Sequence, residues 1–265
     1  MIRWLGRNLL TVYALLAVGY LLLPVAVITV LSFNKPRGRQ NTTWNEFSLD
    51  AWTNICRDQT ICSAFGTSLR IGLIVTIVGT LLGTMLSFAL IRYRFLGRTP
   101  ANLVVFLPLA TPEVILGASL LAFFLNLLLP LGFWTITIAH VMFTISFVVL
   151  IVNARLAGMD TRLEEAAMDL YATGLQTFRY VTLPLAAPGI AAAALLSFTL
   201  SFDDFIITNF NSGTTVTFPI YIWGAALRGI PPQVNVIATI VFAVSVLLVL
   251  LAMGLASSRR PRVRQ

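Results

Sequence analysis

Lysine, histidine, cysteine and charge are all scarce in this sequence, and each scarcity removes a kind of chemistry. Lys35 is the only lysine, in the stretch NKPRG. A phosphate-cradling G-x-x-x-x-G-K-[ST] loop needs a lysine behind its glycines, so none is possible here. The only histidine, His140, stands in the apolar run IAHVMF with no metal ligand at a useful spacing. A lone histidine in such a run reads first as an interhelical hydrogen-bonder rather than a proton relay. With one histidine and no G-x-S-x-G, nucleophilic catalysis has no visible machinery. No catalytic or metal residue is assigned and no cofactor is expected on this chain. Any energy source must lie on another one.

Charged residues are only 11% of the chain, while 58% are hydrophobic and the mean hydropathy is +0.89. Soluble domains sit near 45–50% apolar and about 25% charged. A hydrocarbon layer roughly 30 Å thick takes about 20 apolar residues per helix. Runs of that length predict six spans, at 9–31, 68–91, 103–129, 132–153, 186–209 and 234–257. The expected fold is an all-α polytopic membrane protein, one domain over 1–265. Arg3 and Arg7 precede the first run as in a signal peptide. That run exceeds the ~7–15 residues of a signal core and lacks a cleavage site, so it reads as an uncleaved span.

Twelve basic residues fall in the segments that are internal if the N-terminus is inside: Arg3, Arg7, Arg92, Arg94, Arg98, Arg155, Arg162, Arg179, Arg259, Arg260, Arg262 and Arg264. Six fall outside: Lys35, Arg37, Arg39, Arg57, Arg70 and Arg228. Basic residues near span ends resist translocation, so both termini are expected in the cytoplasm. The net charge of +8 is then a topology device. Scattered between spans, it does not point to nucleic acid. The outer loops are 34–67 and 212–232. Cys56 and Cys62 share the first of these, on the oxidising face, either as a disulfide or as two neighbouring thiols. In the same loop, FSLDAWTNI predicts a surface helix with Ser48 as a possible N-cap, and 218–227 is too short to cross the bilayer.

The segment 158–185 is polar, lies on the cytoplasmic side and is rich in helix formers. Thr161 and Glu164 have the spacing of a capping box. A short helix is predicted after them, then a turn at Gly174, and a second short helix over 175–181. Pro184 and Pro188 mark the entry to the next span.

Glu165-Ala166-Ala167 with Val181-x-Leu183-Pro184 resembles the EAA motif, E-A-A-x3-G-x9-I-x-L-P, of ABC-importer permeases. The resemblance implies a type I importer fold and a coupling helix that docks into a cleft on an ATPase. Glu165, Ala166, Ala167, Asp169, Tyr171, Gly174, Leu183 and Pro184 are the coupling residues it implies. Tyr171 occupies the motif's glycine position, where a tyrosine lacks easy access to positive φ. LSFN at 31–34, RYRFLGR at 92–98, LP-x3-PE-V at 107–114, LGFW at 131–134, LSFTLSFDDF at 196–205 and PPQVN-x-IATI at 231–240 are similar to spermidine/putrescine importer permeases. More narrowly, they resemble the second of that system's two permease subunits. The implied partners are a second, non-identical permease, two ATPases carrying ATP and magnesium, and an external solute-binding protein. The implied location is a bacterial cytoplasmic membrane. Related permeases carry iron, phosphonates or thiamine, which are the alternative cargoes. A secondary carrier or channel would leave the EAA segment unexplained.

Only three acids lie within predicted spans: Glu113, Asp203 and Asp204. Such residues usually face a cavity or partner. Ser197, Ser201, Asp204, Thr208 and Asn211 recur at helical spacing as a polar stripe. Asp204 is expected to face the substrate path from this stripe, with Ser201 and Thr208. Asp203 flanks it about 100° round. Helix–helix hydrogen bonding is the stripe's alternative use. Thr111-Pro112-Glu113 has the form of a helix restart, with Thr111 as N-cap and Pro112 first in the helix. Pro108 adds a further break. Separated carboxylates suit a multivalent amine, with Phe202, Phe205, Tyr221 and Trp223 as candidate cation–π faces.

Overall fold

A computed structural model describes residues 2–38, 40–93 and 95–258. The topology residues Arg39, Arg94, Arg259, Arg260, Arg262 and Arg264 lie outside these, as do the side chains of Arg3 and Arg7. The helices are α1 (Ile2–Leu31), α2 (Asp50–Thr53), α3 (Gln59–Arg92), α4 (Arg98–Ala110), α5 (Glu113–Asn126) and α6 (Phe133–Ala157). They continue with α7 (Arg162–Asp169), α8 (Gly174–Thr177), a π-helical turn (Phe178–Thr182), α9 (Leu183–Asp203), α10 (Ile206–Asn211), α11 (Phe218–Arg228) and α12 (Pro232–Ser258). Among the described residues there is no strand, only one isolated bridge between Asn34 and Phe47.

Among the described residues four helical stretches are long and apolar enough to cross a bilayer: Leu9–Leu31, Gln59–Arg92, Phe133–Ala157 and Gly174–Asp203. A fifth is reached if α4 and α5 count as one span bent by 113°. The described apolar part of α12, Pro232–Leu247, is shorter. At 34 residues α3 outruns the predicted span 68–91. About 51 Å of helix exceeds the hydrocarbon layer and carries Arg92 beyond it.

The chain forms two compact units, Met1–Cys62 with Ile222–Gln265, and Ser63–Tyr221. In the first, α1 packs along α12. The loop after α1 is organised by Asn34, which is 2% exposed. Its Nδ2 donates to Asn41 Oδ1 (2.6 Å) and Thr43 O (2.8 Å), and its Oδ1 accepts from Asn45 N (2.8 Å). Phe33 stacks between Phe47 and Trp52. The helix predicted from FSLDAWTNI shrinks to the four residues of α2, where Ser48 Oγ accepts from Asp50 N (3.1 Å). Cys56 and Cys62 are joined by a disulfide.

In the second unit α6 is the central helix, with α9, α10, α4 and α5 packed on it. Its buried side chains join two apolar clusters. One centres on Phe124, Phe143 and Ile207, the other on Val148, Val152 and Ala193. Small residues set the spacing. A Cβ at Gly83 would lie 2.6 Å from Val148 Cγ1, and one at Gly189 would lie 2.6 Å from the Arg155 stem. Arg155 crosses α9 there and donates through Nε to Leu185 O (2.8 Å).

Three local expectations are corrected. The predicted span 186–209 is interrupted: α9 stops at Asp203, Asp204 is extended (φ −62°, ψ 123°), and α10 restarts at Ile206. At the other break Thr111 does not cap α5. Its Oγ1 donates back to Leu107 O (2.9 Å), and Pro112 at ψ 135° stays outside the helix, which begins at Glu113. The second short helix, expected over 175–181, is not separate. α8, the π-turn and α9 run on without a break, because Leu183 N bonds to Phe178 O and absorbs one extra residue.

Candidate functional site: the α7 peg and the buried polar band

The peg is α7 and the turn that follows it. The expected Thr161–Glu164 capping box is absent. Thr161 makes no side-chain cap, and Asp160 Oδ1 accepts from Arg162 N (3.0 Å) in its place. Glu164 is drawn elsewhere, to the far end of α3. Arg92 grips it with both Nη atoms, one at 2.7 Å, and Thr182 Oγ1 donates to it at 2.5 Å. Three elements (α3, α7 and the π-turn) thus meet on one carboxylate. The Arg92 hydrogen bonds, opposed by burial and joined by Thr182, hold the Glu164 carboxyl below the ordinary glutamate value. Sequence reasoning placed Glu164 in a cap and missed this clamp. The signal available was an arginine at a span end and an acid at the start of the loop.

The motif residue Glu165 points outward and is exposed, as are Ala166 and Asp169. Tyr171 makes the turn that the motif gives to glycine, with φ +62°. Gly174 is not the turning residue. It opens α8, where Thr173 and Gln176 form a capping box. The tyrosine side chain is 97% exposed, so nothing in this chain packs on it. With Leu170, Ala167, Gln176, Tyr180 and Val181 it borders a shallow groove of about 430 Å³. Leu183 and Pro184 begin α9 above it.

The polar stripe on α9 and α10 does share a face, and that face is buried against α6. His140 is 2% exposed. Its Nδ1 lies 2.9 Å from Ser201 Oγ, and its Nε2 lies 2.9 Å from Thr208 Oγ1 and 3.2 Å from Asp204 Oδ2. A carboxylate only accepts, so one consistent pattern has Nε2 donate while Nδ1 accepts from Ser201. Thr208 contributes its backbone N (2.7 Å) and Oγ1 (2.8 Å) to Asp204, which therefore caps α10. Further along, Thr135 Oγ1 donates to Asn211 O (2.8 Å).

The two aspartates face different ways. Asp204 has a side chain only 6% exposed and faces the bundle, while Asp203 is exposed. The cause is the break between α9 and α10, which a continuous helical wheel hides. Glu113 is exposed in the first turn of α5. Ser201 and Thr208 are brought together with Asp204 by His140. Phe202 packs among Phe198, Phe65 and Phe218. Phe205 lies at the helix break, and Tyr221 and Trp223 are on α11.

Bilayer-length helices, with one pair bent by 113° at a break, define a polytopic helical membrane protein. The chain belongs to the family of binding-protein-dependent transport system inner membrane components, whose family model matches residues 76–265. It is 34% identical over 255 residues to the spermidine/putrescine transport system permease protein PotC of Haemophilus influenzae, covering 95% of this chain and 96% of that one. It is 36% identical over 239 residues to the putrescine transport system permease protein PotI of Escherichia coli, covering 87% and 84%. Its fold matches a bacterial alginate ABC transporter solved with a pentasaccharide-bound periplasmic protein. There the TM-score is 0.67 at 18% identity, over 96% of each chain. The MetNI methionine ABC transporter, inward facing, matches with a TM-score of 0.59 at 16% identity, over 74% of this chain and 94% of that one.

Proposed function

We propose that this chain is one permease subunit of an ATP-driven importer of polyamines of the spermidine/putrescine class, in a bacterial cytoplasmic membrane. The observation that carries the reading is identity of 34–36% across most of the chain to permeases named for those amines. A second, non-identical permease completes the path, a solute-binding protein delivers cargo from outside, and two ATPases bind ATP and magnesium. The exposed residues around Tyr171 dock on one of them, and the clamp on Glu164 passes its movement to α3. Along the path, Asp203 and Glu113 are the acids open to an ammonium, and Asp204 fixes the helix break that presents Asp203. Phe202, Phe205, Tyr221 and Trp223 are the aromatic faces nearest this role.

The test is uptake of labelled spermidine and putrescine in cells that depend on this transporter. Asp203→Asn is expected to cut uptake at least tenfold at limiting substrate while the protein still reaches the membrane. Unchanged uptake of both amines by Asp203→Asn and by Glu113→Gln rejects these acids as path residues, and wild-type uptake no higher than in cells lacking the transporter rejects the polyamine assignment.

A further inference from the structure

Outside the path and the peg, the first unit holds a polar pocket of about 340 Å³. It opens between the loop after α1 and the first turn of α12, and is bordered by Lys35, Ser48, Asp50, Arg57 and Gln233. Gln233 is 8% exposed and lines this space, where its amide meets whatever occupies it. The neighbouring polar groups show which kind of group fits. Asn34, at the pocket wall, is saturated by its own loop. Ser48 Oγ accepts from Asp50 N, leaving its O–H to donate outward. Arg57 is held to Asp50 by one nitrogen at 3.0 Å, so the only carboxylate present is already engaged. Lys35 has no ionic partner among the described residues, and the leading N–H groups of α12 favour negative charge. Donors from two distant parts of the chain therefore converge on a space whose one carboxylate, Asp50, is paired with Arg57. A polyamine would find no vacant carboxylate in it. An anion with several acceptor oxygens would.

We infer that this pocket binds a phosphate-bearing anion, and specifically the headgroup of an anionic phospholipid. The lipid source follows from α1. Away from its seam with α12, its large side chains from Leu9 to Val30 are mostly exposed and apolar, as on a helix that meets lipid. Lys35 lies only four residues past the end of α1, where the chain leaves the hydrocarbon and headgroups gather. The inference does not rest on the proposed cargo.

The experiment uses the full-length chain in neutral detergent, titrated with short-chain phosphatidylglycerol, with phosphatidylcholine or with inorganic phosphate, and followed by native mass spectrometry and thermal melting. Phosphatidylglycerol is expected to be retained and to raise the melting temperature, while phosphatidylcholine is not. Gln233→Leu and Lys35→Ala are each expected to weaken that binding about tenfold, the loss of one charge-assisted hydrogen bond. Arg37→Ala, on the same loop but outside the pocket, controls for general charge attraction and is expected to leave it unchanged. Circular dichroism of each variant separates lost binding from lost fold. Binding of inorganic phosphate but not of phosphatidylglycerol overturns the lipid source. Equal retention of both lipids, or equal loss in the Arg37 control, overturns the site.

Discussion

Glu164→Gln tests the clamp that ties the peg to α3. The substitution keeps the side chain's shape and removes its charge, and its NH2 can then meet Arg92 as donor against donor. Breaking a fully desolvated ion pair costs about 3–5 kcal/mol, while an exposed pair is worth at most about 1 kcal/mol. Here the two side chains are 12% and 37% exposed, so the cost lies between these limits, about 2 kcal/mol. That free energy holds down a local element, so the expected effect is on α7 and not on the whole bundle. Hydrogen exchange across 162–169 is expected to quicken about 30-fold, the equivalent of 2 kcal/mol. Thr182→Val removes one bond and is expected to quicken it about fivefold. A pH series adds a second test. Glu164 has a lowered value in the folded chain, so its stabilising effect is complete above the ordinary carboxylate range and is lost as pH falls through the lowered value. Wild-type α7 should therefore loosen on acidification, and Glu164→Gln should show less dependence. Identical exchange in wild type and Glu164→Gln across 162–169 would refute the clamp.

Tyr171→Gly removes the left-handed strain of a side chain that packs on nothing, and is expected to steady the turn by about 1 kcal/mol, read as slower exchange over 168–174. Slower exchange in Tyr171→Ala as well would show that φ is not the cause. Asp204→Ala uncaps α10 and takes one of three partners from His140, so a loss of about 2–3 kcal/mol is expected in denaturant melts, against well under 1 kcal/mol for the exposed Asp203→Ala. Equal losses would contradict the orientation of the two acids. Gly83→Ala forces a methyl against Val148 and is expected to cost about 1–3 kcal/mol, largely recovered in the double variant with Val148→Ala.

Long-range composition carried most of what was legible in the sequence. Hydrophobic length revealed α1, α3 and α6, because a bilayer imposes one scale on every span. The EAA residues marked the peg, and the helical spacing of Ser197, Ser201, Thr208 and Asn211 put them on one face. The sequence could not show where a helix stops and restarts at Asp204, because a stripe fits a broken helix as well as an intact one. Glu164 was misread for a related reason. A capping box is a local pattern, whereas its real partner, Arg92, is 72 positions away. At Tyr171 the residue preference pointed away from positive φ, and tertiary context imposed it all the same.

The π-turn at Phe178–Thr182 fixes a phase relation. One surplus residue rotates everything before it by about 100° relative to everything after. The groove beside Tyr180 and the core face of α9 therefore stand out of step by that angle. Deleting a single residue between Phe178 and Val181 would let the helix heal into regular α form while swinging the groove about a quarter turn. Nearly every contact within α9 would survive, but the peg would present a different edge to whatever seats on it.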